Sequence, residues 1–291
     1  MKPIAFIQLA AAVLILPSSL SVHAATMIDG ANRYAYGANI GWMDWTGDGA
    51  NGAVIGEYVC SGYIYSANVG WIALGSGGPA NGIYYQNLSA DDFGVNQDGL
   101  GNLRGYAHGA NIGWINFEDT GAPRVDLATG QLSGYAWSAN CGWLSLSNAV
   151  AYVQTDSIQA GADSNSDGIP DAWELQNFGM IAIDVNGDPD GDGLSNLQEY
   201  LAGTDPNDVN SVLKITAFTF APGGTNTTLT WNSVTTRFYQ AQKTTDLSHN
   251  TWADSGLGLI APAGSSTSGN FTDTNAPVRF YRVQAVRPLA P

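Results

Sequence analysis

The sequence predicts a mainly β, multidomain protein, and three observations carry that prediction. A stretch of nine residues rich in aromatics and glycine returns four times in the first half of the chain. Short alternating apolar strands, broken by Gly, Pro, Ser, Thr and Asn, fill residues 211–291. The clearest helical patterns are two short stretches, each placed directly after an acidic loop. Charged residues make up only 12% of the chain while Gly, Trp and Tyr are abundant, a composition that suits strands and turns better than long helices. The boundaries expected are a signal segment at 1–24, a β-repeat domain at 25–160, a loop–helix connector at 161–210 and a β-sandwich at 211–291.

Residues 1–24 have the form of a secretory signal, with Lys2, an apolar run from Ile4 to Pro17 and a small-residue cleavage site at Val22-His23-Ala24. The run is too short for a membrane anchor, and no other segment is long and apolar enough to span a bilayer. The expectation is a secreted or cell-surface protein without a transmembrane segment in the mature chain. A formal charge of −15 leaves no basic stripe to neutralise phosphates, which argues against nucleic acid as a partner.

The repeat reads Tyr34-Ala-Tyr-Gly-Ala-Asn-Ile-Gly-Trp42, Tyr63-Ile-Tyr-Ser-Ala-Asn-Val-Gly-Trp71, Tyr106-Ala-His-Gly-Ala-Asn-Ile-Gly-Trp114 and Tyr135-Ala-Trp-Ser-Ala-Asn-Cys-Gly-Trp143. Asn39, Asn68, Asn111 and Asn140 are spaced by 29, 43 and 29 residues, the mark of a duplicated pair of units. Units this short cannot bury a core alone and must pack together. Each unit reads as a β-hairpin, turning at Ala-Asn where Asn tolerates the left-handed conformation. Further short strands are expected at Gly94-Val95 and Arg124-Val125-Asp126.

With a turn of two or four residues, Tyr34, Tyr36, Met43 and Trp45 share one face, and Ala35, Ile40, Trp42 and Asp44 the other; a three-residue turn reverses that pairing. The face ending in Met43/Trp45, Ile72/Leu74, Ile115/Phe117 and Leu144/Leu146 is apolar in all four units and is the expected core face. The other carries Trp42, Trp71, Trp114 and Trp143 beside Asp44, Ala73, Asn116 and Ser145. Repeated tryptophans are expected to pack inside the array. The alternative is a glycan-facing row, with rings stacked on pyranose faces. Cys60 and Cys141 share the tryptophan face under that parity, and export favours a disulfide between them. The motif resembles a GYAWSANIGW-type repeat of exported bacterial proteins, which implies no particular function.

The connector carries two full matches to the calcium-loop pattern D-x-[DN]-x-[DN]-G-x5-E. The first places Asp163, Asn165, Asp167, the Ile169 carbonyl, Asp171 and Glu174 at positions 1, 3, 5, 7, 9 and 12. The second places Asp188, Asp190, Asp192, the Leu194 carbonyl, Asn196 and Glu199 there. Calcium takes six to eight oxygens, so short side chains at alternate positions wrap it and the last Glu closes the shell with both oxygens. Gly168 and Gly193 allow the sharp turn at position 6. Residues 163–208 hold eleven acids and no Lys or Arg, a segment that repels itself unless a cation is bound. Apolar helical stretches follow at Asp171–Phe178 and Ser195–Leu201, so these are loop–helix units. Asp184, Asn186 and Asp205 are candidates for a further site.

The run DSNSDGIPDAWELQNFG…DVNGDPDGDGLSNLQEYLAGTDP, residues 163–207, resembles the thrombospondin type 3-like calcium repeats of secreted bacterial proteins, related in form to EF-hand and dockerin loops. The resemblance implies bound Ca2+ and rigidity rather than catalysis. In the last domain, Leu229-Thr-Trp231 and Phe280-Tyr-Arg-Val-Gln-Ala-Val286 resemble a fibronectin type III-like sandwich, with Trp231 and Tyr281 as core aromatics. Its basic residues, Lys214, Arg237, Lys243, Arg279, Arg282 and Arg287, read as scattered solvated charges. No nucleophile elbow, Cys/His pair, phosphate loop or dinucleotide fingerprint occurs in a suitable setting. Asp44, Glu57, Asp91, Asp92, Glu118 and Asp119 remain as acids outside the loops. The expected function is that of a non-enzymatic, calcium-binding modular protein with a structural or adhesive role. Its partner would be an extracellular polysaccharide or a surface protein, and the alternative is a carbohydrate-binding accessory module.

Overall fold

Each repeat folds as a hairpin because its turn segment, Gly or Ser followed by Ala-Asn, one apolar residue and Gly, closes on itself. In the computed structural model, which describes residues 26–48, 50–220, 226–249, 251–273 and 279–291, Ile40 N–H donates to Gly37 O at 3.2 Å. Gly41 follows with φ +76°, and Gly70, Gly113 and Gly142 repeat that conformation. The turn therefore has three residues and ends on a left-handed glycine, a common hairpin loop. That glycine, and not the asparagine, takes the left-handed conformation. The signal segment lies outside the described residues.

Four hairpins result. The first is β1 (Ile28–Gly37) with β2 (Gly41–Asp44), and the second β3 (Ser61–Ser66) with β4 (Gly70–Ser76). A short strand β5 (Val95–Gln97) precedes the third, β6 (Leu103–Gly109) with β7 (Gly113–Asn116). Two-residue strands β8 (Arg124–Val125) and β9 (Leu132–Ser133) precede the fourth, β10 (Tyr135–Ser138) with β11 (Gly142–Ser145). The hairpins pair side by side in chain order, and β11 returns to β1, so the eight long strands close into an antiparallel barrel. β12 (Val153–Thr155) adds to the start of β1.

The three-residue turn sets which residues face inward. Ala35 pairs with Met43, and Tyr36 with Trp42. Ala35, Met43 and Trp45 lie inside the barrel with Ile64, Ile72, Leu74, Ala107, Ile115, Phe117, Ala136, Leu144 and Leu146. The core face is thus the one ending in Met43/Trp45 and its equivalents, but its partner across the hairpin is Ala35 rather than Tyr34 and Tyr36. Those tyrosines join the tryptophan on the outer wall. An eight-stranded barrel is just wide enough for side chains to fill it, and this interior is filled.

At one end of the barrel the four turns lock to each other. The amide of Asn68 donates to Ile40 O (2.9 Å), Asn111 to Val69 O (3.0 Å), Asn140 to Ile112 O (3.0 Å) and Asn39 to Cys141 O (3.0 Å). Each hairpin grips its predecessor, and the last bond closes the ring. This assigns the repeated asparagine its role.

Cys60 and Cys141 are buried free thiols, not a disulfide. Cys141 sits in the turn of the fourth hairpin, whereas Cys60 precedes β3 and donates its backbone N–H to Val95 O (2.7 Å) at the opposite end. A strand of this length spans roughly 20 Å, well beyond disulfide reach. Burial pushes the Cys60 thiol up to about 12, so it packs as a small apolar side chain.

The connector holds helices α1 (Asp171–Phe178) and α2 (Asn196–Ala202). Gly179 and Gly203 end them in the left-handed conformation, and Ser195 with Gln198 forms a capping box on α2. The tail forms two three-stranded sheets among the described residues. One is β13 (Ile215–Phe220), β14 (Asn226–Asn232) and β17 (Ser266–Thr272); the other is β15 (Phe238–Thr244), β16 (Ala253–Asp254) and β18 (Phe280–Val286). Leu229, Trp231, Tyr239, Ala241 and Phe271 form the core of the tail, with Tyr281 half-buried beside them.

Two substitutions test the ring of turns. Asn68→Ala removes one amide–carbonyl bond and should cost about 1 kcal/mol in urea unfolding. Gly41→Ala should cost more, about 1–2 kcal/mol from the left-handed backbone alone. Its new Cβ would also stand 3.1 Å from the Asn68 amide nitrogen. Equal midpoints for both variants and the parent would show that the turns do not hold the barrel.

Candidate functional site

The outer wall of the barrel carries an aromatic belt. Trp42, Trp71, Trp114 and Trp143 are 42–46% exposed, so they are not packed inside the array as expected from their size. Strand alternation is the cause: the next residue of each strand, Met43, Ile72, Ile115 or Leu144, points into the core, so the tryptophan beside it must face out. Each is paired across its hairpin with a second ring, Tyr36, Tyr65, His108 or Trp137, at centroid distances of 4.7–4.9 Å. A third ring, Tyr34, Tyr63, Tyr106 or Tyr135, meets it edge-on at 6.1–6.2 Å. The next hairpin begins beside Asp44, Ala73, Asn116 or Ser145, which pair with Tyr65, His108, Trp137 and Tyr36.

The two acidic loops share one backbone design. Gly168 (φ +94°) and Gly193 (φ +97°) occupy position 6, and in each the glycine N–H donates to the first aspartate, Asp163 (2.9 Å) or Asp188 (3.0 Å). The N–H of Ile169 donates to Asp167 (2.9 Å), and that of Leu194 to Asp192 (2.7 Å). No atom lies within 4 Å of a Cβ built at Gly193, so the backbone conformation and not crowding demands glycine.

The second loop fits a cation. Oxygens of Asp188, Asp190 and Asp192 all lie within 4.8 Å of one another, about twice a calcium–oxygen distance of ~2.4 Å. Asp190 Oδ2, Asp192 Oδ2, Asn196 Oδ1 and Glu199 Oε2 are buried without hydrogen-bond partners. The NH2 of Asn196 is tied to Asp184 O (2.8 Å), which leaves its carbonyl oxygen as the free group. Glu199 is fully buried, and burial together with Asp190 and Asp192 pushes its carboxyl up to about 7. Four orphaned oxygens around three aspartates form a donor set of the hard type calcium takes. Asp184 thus contributes through its backbone carbonyl.

The first loop is less open. Asp171 accepts from Ser164 N–H (2.9 Å) and Oγ–H (3.1 Å), and Asn165 donates to Asp167 (2.7 Å). Glu174 accepts from Ile183 N–H (2.9 Å) with one oxygen, while its other is buried without a partner. The structure gathers the second set of ligands more closely than the first.

The connector is no free linker. Ile169, Ala172, Trp173 and Tyr200 share a core with Tyr58, Val59, Ile83 and Tyr84 of the repeat domain. Beside it, Glu57 of the barrel meets Arg237 (3.2 Å) and Arg287 (3.4 Å) of the tail, and Tyr200 donates its hydroxyl to Glu57 (3.3 Å). Arg237 is buried and donates to the last carbonyls of α2, Tyr200 O (2.7 Å) and Leu201 O (3.1 Å). Arg237 and Arg287 therefore are not scattered solvated charges. Sequence reasoning had Glu57 only as a spare acid and missed this junction; its one signal was Tyr200, an aromatic placed directly after a closing Glu.

Calorimetric titration of Glu199→Gln should show calcium affinity at the second site reduced by about tenfold or more, with Gly193→Val weakening the same site through its backbone. Affinity in the parent should also fall as pH drops below 7, where a proton competes for Glu199. Unchanged isotherms would mean that the loop binds no calcium. Arg237→Ala leaves Glu57 with one cation and removes a donor from each of two helix-end carbonyls, and should destabilise the protein by about 3 kcal/mol. A thermal unfolding curve that matches the parent's would remove the junction as a stabilising contact.

Residues 188–209 match the family model described as Bacterial TSP3 repeat, the segment that holds the second loop and α2. No curated protein and no solved structure matches the chain. The match supports the calcium-repeat reading of the connector, and among the described residues no helix is long and apolar enough to cross a membrane.

Proposed function

We propose that this is an exported, non-enzymatic protein that works by adhesion: calcium stiffens its centre, and the barrel presents the aromatic belt to a partner outside the cell. The single observation that carries the reading is the exposure of all four tryptophans at equivalent positions. Burying such rings would have stabilised the fold, so their outward placement in every unit points to a surface that contacts something. The acids outside the loops support a non-catalytic role. Glu57 is held between two arginines, Asp44 accepts from Thr46 (2.6 Å), and Asp92 accepts backbone N–H groups of Ala80 (3.1 Å) and Gln86 (3.0 Å).

A second reading, a carbohydrate-binding accessory module, is favoured by what lies next to the rings. Amide, hydroxyl and carboxylate groups at Asn116, Ser145 and Asp44 adjoin the stacked aromatics, as a sugar requires. Retention of the full calcium-loaded chain on a panel of immobilised polysaccharides and surface proteins tests both. Retention on polysaccharide alone supports the second reading, and retention on protein alone supports surface adhesion without it. No retention on any member overturns the adhesive role.

A further inference from the structure

Resting on the carbohydrate reading, we infer that the barrel holds two built saccharide clefts, over Trp143 and Trp114, which take neutral, gluco-configured pyranose units. The belt is fourfold, and clefts open beside these two tryptophans. The first cleft, of about 250 Å3, has Trp143 and Trp137 with Tyr135 on one side and Asn116, Glu118 and Thr120 on the other. Its far wall is a short 3-10 turn, Asp119–Gly121, whose Gly121 lies against Trp143. The second, of about 440 Å3, has Trp114 and Tyr106 facing Phe93, Asn87 and Ser89. Phe93 stands edge-on to Trp114 at 5.1 Å, a ring that the other units do not supply among the aromatic contacts of the described residues.

The second wall has a visible origin in the sequence. Asn68 and Asn111 are 43 residues apart where the other neighbouring units are 29 apart, and the longer segment contains residues 87–93. That loop is pinned rather than loose. Asp92 ties it to Ala80 and Gln86, Asn87 N–H donates to Asp92 O (3.0 Å), and Asn87 Oδ1 accepts from Gly94 N–H (3.0 Å). A wall held in place before binding lowers the ordering cost of taking a ligand.

The chemistry of the clefts selects the ligand. The face of an aromatic ring is electron-rich, so it attracts the C–H groups that a pyranose presents when its hydroxyls are equatorial. Those hydroxyls then point sideways to Asn, Ser, Thr and Glu at the rim. A chain carrying −15 repels polyanions, so uronate-rich or sulfated polymers are disfavoured. Two clefts on adjacent hairpins of one rigid barrel suit two stretches of one polymer, so that the second contact forms at high effective concentration.

Affinity electrophoresis of the full calcium-loaded chain through gels containing soluble mixed-linkage β-glucan, with alginate as the anionic control, tests this. The parent should be retarded by β-glucan and not by alginate. Trp143→Ala and Trp114→Ala should each weaken retardation by about tenfold, and the pair should abolish it, while Trp42→Ala and Trp71→Ala stay within about twofold of the parent. All four side chains are exposed, and unchanged circular dichroism identifies variants that fold. Equal losses at all four tryptophans would overturn the two-cleft assignment and leave the carbohydrate reading standing. Stronger retardation by alginate would overturn the choice of a neutral ligand. No retardation by β-glucan, together with no retention of the parent on any polysaccharide of the panel, would overturn both.

Discussion

The three domains meet at one half-buried carboxylate. Glu57 leaves the barrel wall and enters a space where Arg237 and Arg287 of the tail and the hydroxyl of Tyr200 surround it. A charge removed from water is costly unless its partners are held at contact distance, and here no domain holds a complete set. The barrel supplies the anion, the tail the cations, and the connector the hydroxyl together with the helix-end carbonyls that occupy the remaining Arg237 donors. Each group is a liability in its own domain and is satisfied only in the docked arrangement. Tyr200 is also the residue after Glu199, so the last carboxylate of the acidic loop and the centre of the junction sit on the same turn of α2. A displacement of one carries the other.

The electrostatics of the connector follow from the same economy of space. The chain gathers eleven acids within residues 163–208 and balances them with no basic residue of that segment. In the second loop several of the oxygens are turned inward and left without donors, an arrangement that a cation among them would offset. In the first loop, more of the same residue types are spent on backbone N–H groups and on each other. Two matches to one pattern thus describe one open donor set and one largely self-satisfied loop. The family match begins at Asp188, at the open one.

Much of this was legible in the sequence where the signal is local. The four hairpins, the short strands near Val95 and Val125, the loop glycines and helix Asp171–Phe178 all follow from period, turn residues and spacing over a few positions. The outward tryptophans were misjudged because their size was weighed above their place on the face opposite Met43 and Trp45; what the turn length decided is the side taken by Tyr34 and Tyr36, since one residue more or less turns a strand over. The sequence Gly-Ala-Asn-Ile-Gly admits either reading until the left-handed residue is known to be the last glycine. The cysteines misled for a related reason: shared parity says nothing about position along the strand, and one lies at a turn while the other lies at a base. The asparagine ring and the Glu57 junction join residues from 28 to 230 positions apart, and no local pattern reports on such pairs.

Closure of the barrel has a consequence for how many units the head can contain. In an open stack of repeats, units can be gained or lost at the ends with little effect on those that remain. A ring has no ends. A fifth hairpin would widen the wall to ten strands around an interior now filled by Ala35, Ile64, Ala107, Ala136 and their larger neighbours, leaving a void; three hairpins would leave no room for Trp45 and Phe117. The count of four is therefore a property of the packing. Half of the ring, one 72-residue period, would expose two raw sheet edges and the open carbonyl of its terminal turn.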